Sequence, residues 1–149
     1  MNNTKPLTRL AIATSGALAL GLTLSGCGVI DTVAKSAADA WSVTYEVTTD
    51  GDAPAQLSEV SYLDAKDRMT EQHTEQVSHV ATSATTDGTF AWTAMAIVVT
   101  GDSASVSATP PEDVSATCRI LLDGAREIAS ETGAPGEAVH CESVTPEFD

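Results

Sequence analysis

The sequence predicts an all-β domain: an antiparallel β-sandwich with one disulfide, preceded by a lipoprotein signal peptide and a short tether. Three observations predict it. Beyond Trp41, apolar residues recur at every second position in about eight short segments separated by turn residues. Two cysteines, Cys118 and Cys141, fall on two of those segments. Upstream, a short basic start is followed by an apolar run that ends in small residues and a cysteine.

The N-terminal segment carries Lys5 and Arg9, and no other charged side chain before Asp31. Leu10 to Leu24 is apolar and small, as expected of a secretory signal whose cleavage site must admit an extended backbone. It closes in Leu24-Ser25-Gly26-Cys27, which resembles a bacterial lipobox. That reading makes residues 1–26 the signal peptide, Cys27 the lipidated first residue of the mature chain and residues 27–40 a lipidated tether, leaving residues 41–149 as the β-sandwich domain. Acyl chains contribute roughly 0.8 kcal/mol per buried methylene, so two or three anchor a protein stably. The uncharged run Leu10 to Ile30 is 21 residues long. Because about 20 residues span a bilayer, an uncleaved membrane helix stays open as the alternative. Either reading places the domain on the extracytoplasmic face of the cell membrane.

The mature chain keeps all 21 acidic residues but only Lys35, Lys66, Arg68, Arg119 and Arg126 as bases, a net charge of −16. Such a surface is a poor partner for nucleic acid and is repelled by anionic headgroups, which favours a covalent anchor over electrostatic adhesion. The acidity reads chiefly as solubility. The acids are scattered, and Asp50-Gly51-Asp52 lacks the later ligands of a calcium loop.

In chain order, Trp41, Val43, Tyr45 and Val47 alternate with polar residues in a half-buried strand over 41–49, which 50–55 breaks. Val60 and Tyr62 carry a second strand over 58–64, followed by a polar turn at 65–73 and a weaker strand at 75–84. Phe90 to Thr100, "FAWTAMAIVVT", is the strongest apolar strand. A short strand at 104–109 stops at Pro110 and Pro111, and strands at 116–122, 125–130 and 137–144 complete the set. In an exported domain the two remaining cysteines read as a disulfide. Cys118 shares a strand face with Ile120 and Leu122, and Cys141 with Val139, so the link belongs in or beside the core. Its loop of about 24 residues implies roughly 3–4 kcal/mol of stabilisation in the chain-entropy account. Asp123-Gly124 signals a hairpin between the strands on either side of it. A two-residue loop opposes Arg119 to Ile128; a three-residue loop, Leu122 to Gly124, opposes Cys118 to Ile128 and Arg119 to Glu127. The second register is expected, because it buries the isoleucine and opposes unlike charges.

No pair among His73, His79 and His140 has metal-ligand spacing on a common strand face, and there is no HExxH, GxSxG or glycine-rich phosphate loop. The expectation is a protein without catalytic residues, cofactor or metal. The unusual feature is the strand at 90–100, where both faces are apolar. Phe90, Trp92, Ala94, Ala96 and Val98 fill one face; Ala91, Met95, Ile97 and Val99 fill the other, with Thr93 the one polar residue. Either neighbours shield the outer face, or Met95, Ile97 and Val99 form a docking patch for a membrane partner.

From Val43 to Val144 the chain resembles the MmpS family, small membrane proteins of mycobacteria and related actinobacteria, here in lipoprotein form. The match is carried by "CRILLDGAREIASETGAPGEAVHCESV" at 118–144, by "VTYEVTTDGDA" and by "VSYLDA". Family members commonly carry a membrane helix where this chain has a lipobox, and Ser78-His79 stands about where a Pro-Trp is expected. The resemblance implies an immunoglobulin-like sandwich with Cys118 and Cys141 as the family's cysteine pair. It further implies an accessory role beside an MmpL-like transporter of the resistance-nodulation-division (RND) class that exports siderophores, lipids or drugs. The alternative is a free-standing envelope lipoprotein that binds a lipid or cell-wall ligand.

Overall fold

The computed structural model describes residues 39–148. The expected signal peptide, Cys27 and the expected tether up to residue 38 lie outside the described residues. Nine strands follow in order: β1 (Ala40–Thr49), β2 (Gln56–Asp64), β3 (His73–Ala81), β4 (Ser83–Ala84), β5 (Phe90–Val99), β6 (Ser103–Thr109), β7 (Ala116–Leu122), β8 (Arg126–Thr132) and β9 (Val139–Val144). They form two antiparallel sheets, one ordered β4-β5-β1-β7-β8 and the other β3-β2-β6-β9. The alternation read from the sequence becomes the burial pattern. Val43, Tyr45 and Val47 of β1, with Cys118, Ile120 and Leu122 of β7, meet Leu57, Val60, Val106, Val139 and Cys141 of the second sheet in one core. At about 25 cal/mol per Å² of apolar surface removed from water, this contact between two apolar faces is the main source of stability.

Cys118 and Cys141 are joined, linking β7 of one sheet to β9 of the other inside that core. The link ties the two layers together covalently.

Two local expectations are corrected. The weak strand expected at 75–84 is two strands that belong to different sheets: β3 begins at His73, and the chain crosses to the first sheet as β4. The crossing residue, Thr82, is 2% exposed. Its N–H donates to the Ala55 carbonyl at 2.9 Å, and its Oγ1 accepts from the Ala55 N–H at 2.9 Å. A hydroxyl at this position satisfies a backbone amide that leaves its sheet, and no apolar residue can do so.

The second correction concerns the β7–β8 hairpin. Asp123 and Gly124 do form the turn, both with positive φ (51° and 70°), and the Ala125 N–H donates to the Leu122 carbonyl at 3.0 Å. Neither expected register holds beyond it. Leu122 faces Arg126 and Leu121 faces Glu127; a bulge then shifts the ladder, so that Ile120 faces Ala129, Arg119 faces Ser130 and Cys118 faces Glu131. The bulge falls at Ile128, which packs against the core cluster without a ladder partner. The charge pairing is still made, diagonally: Arg119 Nε donates to Glu127 Oε2 at 2.6 Å, and Nη1 to Glu46 Oε1 at 3.2 Å. The long Arg119 side chain still reaches Glu127 although its ladder partner is now Ser130, three residues further on.

At one end of the domain the first and last described segments are clamped together. Trp41 Nε1 donates to the Pro146 carbonyl at 2.7 Å, and the indole stacks on Phe148 with ring centroids 4.0 Å apart. Any tether therefore leaves the domain beside its C-terminal segment.

Candidate docking surface

The outer face of the β4-β5-β1-β7-β8 sheet is laid out in rows by the registers of β1 with β5 and β7 and of β7 with β8. One row reads Thr93, Glu46, Arg119 and Ser130; the next reads Ala91, Thr48, Thr117 and Thr132. Apart from the buried Ala91, both are polar, as expected of a water-facing sheet surface. On the other side of the charged row, Met95 faces Thr44 and Ile97 faces Ser42. Met95 is 75% exposed and Ile97 37%. The sheet face is thus divided into a polar end and an apolar corner.

Of the three residues expected to form the patch, Met95 and Ile97 lie together at this corner and Val99 does not contribute. Val99 is only 8% exposed. It sits where β1 begins and β9 ends: it pairs with Ala40, and its carbonyl accepts from the Asp102 N–H at 3.0 Å and from Thr145 Oγ1 at 2.8 Å. The closing turn covers the last residue of the strand. The opposite face of β5 is core, with Ala96 and Val98 buried and Trp92 and Ala94 packed against the cluster.

The corner also lies on a sheet edge. β4 pairs with β5 only at Ala91 and Phe90, so residues 92–99 have no strand neighbour on that side among the described residues. Apart from the two-residue β4, the other edge strands carry charge: β3 has Glu75, β8 has Arg126, Glu127 and Glu131, and β9 has Glu142. β5 has neither charge nor proline. Edge strands normally carry such residues because an unpaired row of N–H and C=O groups recruits other strands. Beside this edge the residues following β2 leave a cleft of about 330 Å³ lined by Ser42, Asp64, Ala65, Lys66, Met95, Ala96 and Ile97. The composition of 90–99 was legible in the sequence; its position at an edge depends on which strands β5 pairs with.

A second, polar groove of about 560 Å³ lies at the other end of the same face, among Glu46, Thr48, Asp50, Thr85, Asp87, Thr117 and Arg119. Its acids are engaged locally. Asp87 accepts from the hydroxyls of Thr85 and Thr89, which holds its carboxyl below the usual range, and Asp50 accepts from the Ser115 N–H at 2.9 Å. The groove offers hydroxyls and carboxylates to a polar ligand. Cys27, the expected lipidation site, lies outside the described residues. No family model matches this chain, and no curated protein matches it either.

Proposed function

We propose that this chain is an extracytoplasmic accessory subunit, held at the cell membrane by lipid on Cys27, which docks through β5 onto a membrane transporter of the RND class and assists export without catalysing a reaction. One observation carries the reading: Met95 and Ile97 are exposed on an uncharged edge strand of an otherwise strongly acidic domain. An anchored partner meets that corner at high effective concentration, so a small patch suffices for binding. The resemblance to the MmpS family supplies the transporter class and the expectation of an immunoglobulin-like strand arrangement.

The test is affinity purification of the tagged full-length protein from its native membrane in mild detergent, comparing wild type with Met95→Asp and Ile97→Asp. The expected result is a transporter recovered with wild type, lost with both variants, and unchanged thermal melting. Recovery unaffected by either substitution overturns the docking surface; recovery of no transporter overturns the partner.

The polar groove favours a second reading, a free-standing lipoprotein that holds a hydroxyl-rich cell-wall ligand. Native mass spectrometry of the extracted protein separates the two: a bound saccharide with no protein partner selects this one.

A further inference from the structure

The end of the β2–β3 hairpin carries three side chains that the strand pattern does not explain. Val60 and Tyr62 alternate on the inward face of β2; Val60 is fully buried, and the Tyr62 ring packs 5.5 Å from Tyr45 and 5.6 Å from Trp92. Asp64 continues that face. Across the ladder His73 stands opposite Asp64, and Glu75 stands opposite Tyr62. Where alternation calls for apolar residues, the mouth of the sandwich instead holds two carboxylates and an imidazole. The oxygens of Asp64 and Glu75 and a ring nitrogen of His73 lie within 4.8 Å of one another, and His73 Nε2 is 2.8 Å from Glu75 Oε1. Asp64 and Glu75 are half-buried.

We propose that Asp64, His73 and Glu75 form a binding site for a divalent transition-metal ion, with zinc as the reference ion. Two carboxylate oxygens and one imidazole nitrogen make a mixed donor set that zinc accepts, at metal–ligand distances of about 2.0–2.2 Å and with water completing the sphere. The nitrogen donor selects against magnesium and calcium, which prefer all-oxygen shells. Ligands around such an ion sit roughly 3 Å apart. His73 and Glu75 already have that separation, and an Asp64 oxygen lies within 4.8 Å of both. Two negative groups on one face also repel each other, and a cation between them removes that repulsion. Sequence spacing conceals the site because its ligands come from two strands and only one of them is a histidine.

The structure supplies a control. His140 and Glu142 on β9 have the same two-residue spacing at 3.6 Å, but among the described residues no third ligand joins them. The experiment is calorimetric titration of zinc into the full-length protein in neutral detergent, for wild type, His73→Ala, Asp64→Asn, Glu75→Gln and His140→Ala, with thermal melts of each zinc-free variant. The expected result is one saturable site per chain, weakened at least tenfold by each of the first three substitutions and unchanged by His140→Ala, with a zinc-dependent rise in melting temperature that His73→Ala removes. Absence of saturable binding to wild type overturns the proposal. So does binding that survives His73→Ala, or that falls equally with His140→Ala. Because the three variants change different ligands, misfolding of one, visible in its zinc-free melt, leaves the other two decisive.

Discussion

Breaking the Cys118–Cys141 link is the perturbation whose size follows most directly from the structure. The link closes a loop of about 24 residues and joins β7 to β9 across the two sheets. In the chain-entropy account, freeing a loop of this length in the unfolded state costs the folded state about 3.4 kcal/mol at 25 °C. The described domain spans 110 residues. At roughly 0.05–0.15 kcal/mol per residue its total stability is of order 5–16 kcal/mol, so the loss is a large fraction but not all of it. With an unfolding entropy of about 2.1 cal/mol/K per residue, the same 3.4 kcal/mol corresponds to a fall in melting temperature of about 15 °C. The assay is thermal unfolding followed by far-ultraviolet circular dichroism. Oxidised wild type is compared with wild type unfolded and refolded under reductant, and with the double variant Cys118→Ala/Cys141→Ala. Reduced wild type keeps both sulfur atoms, so its difference from oxidised protein isolates the crosslink. The double variant also vacates two buried sulfur positions and should melt a few degrees lower still. Oxidised and reduced melts within about 4 °C of each other, less than about 1 kcal/mol, would refute the reasoning. That result would mean that the unfolded chain is already compact between these positions, or that the link strains the fold as much as it restricts the unfolded chain.

Two further predictions concern the core and the turns. Tyr45 is fully buried, its hydroxyl donates to the Leu63 carbonyl at 2.8 Å, and burial raises its phenol well above the ordinary value. Tyr45→Phe should cost about 1–2 kcal/mol at neutral pH in a denaturant titration. Because the folded state holds the phenolic proton more tightly than the unfolded one, wild-type stability is retained below about pH 10 and declines above it. The variant should show a shallower decline, and equal alkaline slopes would count against the assignment. Gly124 and Gly136 both have positive φ, but a Cβ at Gly124 meets nothing within 4 Å, whereas at Gly136 it meets Glu112 Cα at 2.9 Å. Gly124→Ala should therefore cost about 1–2 kcal/mol, the left-handed backbone penalty alone, and Gly136→Ala clearly more, since the obstruction is backbone. Equal melting temperatures for the two variants would contradict this account.

Much of the fold was legible in residues 41–144 because strand alternation is a local property. Apart from the strand expected at 75–84, period-two patterning located the longer strands to within about two residues, and it placed Cys118, Ile120, Leu122, Val139 and Cys141 on buried faces. Turn chemistry was legible at Asp123-Gly124 for the same reason: the positive φ values are a requirement of the residues that form the turn. The β7–β8 register was not legible. It depends on how Ile128 packs against the core from both sheets, and the bulge that accommodates it overrides a pairing judged only between two strands. The switch at Thr82 was equally hidden, since a strand of uniform character gives no local sign that it changes sheets. The candidate surface was half legible. Apolar residues on both faces of β5 marked it, but Val99 is covered by a turn assembled from β1, β5 and the segment after β9.

By itself the sequence determined the class of structure and the chemistry available to it: β-strands from alternation, a crosslink from two cysteines on inward faces, an acidic surface from composition, and the expectation of an anchor from the residues ending at Cys27. The tertiary structure alone decided which strands are neighbours. That choice leaves β5 at an edge with Met95 and Ile97 exposed, and it brings Asp64 to His73 and Glu75 across a hairpin. The physical reason is that face and turn preferences act over a few residues. Edges, bulges and convergent side chains arise from the simultaneous packing of segments far apart in the chain, where burial of the shared core outweighs any local preference.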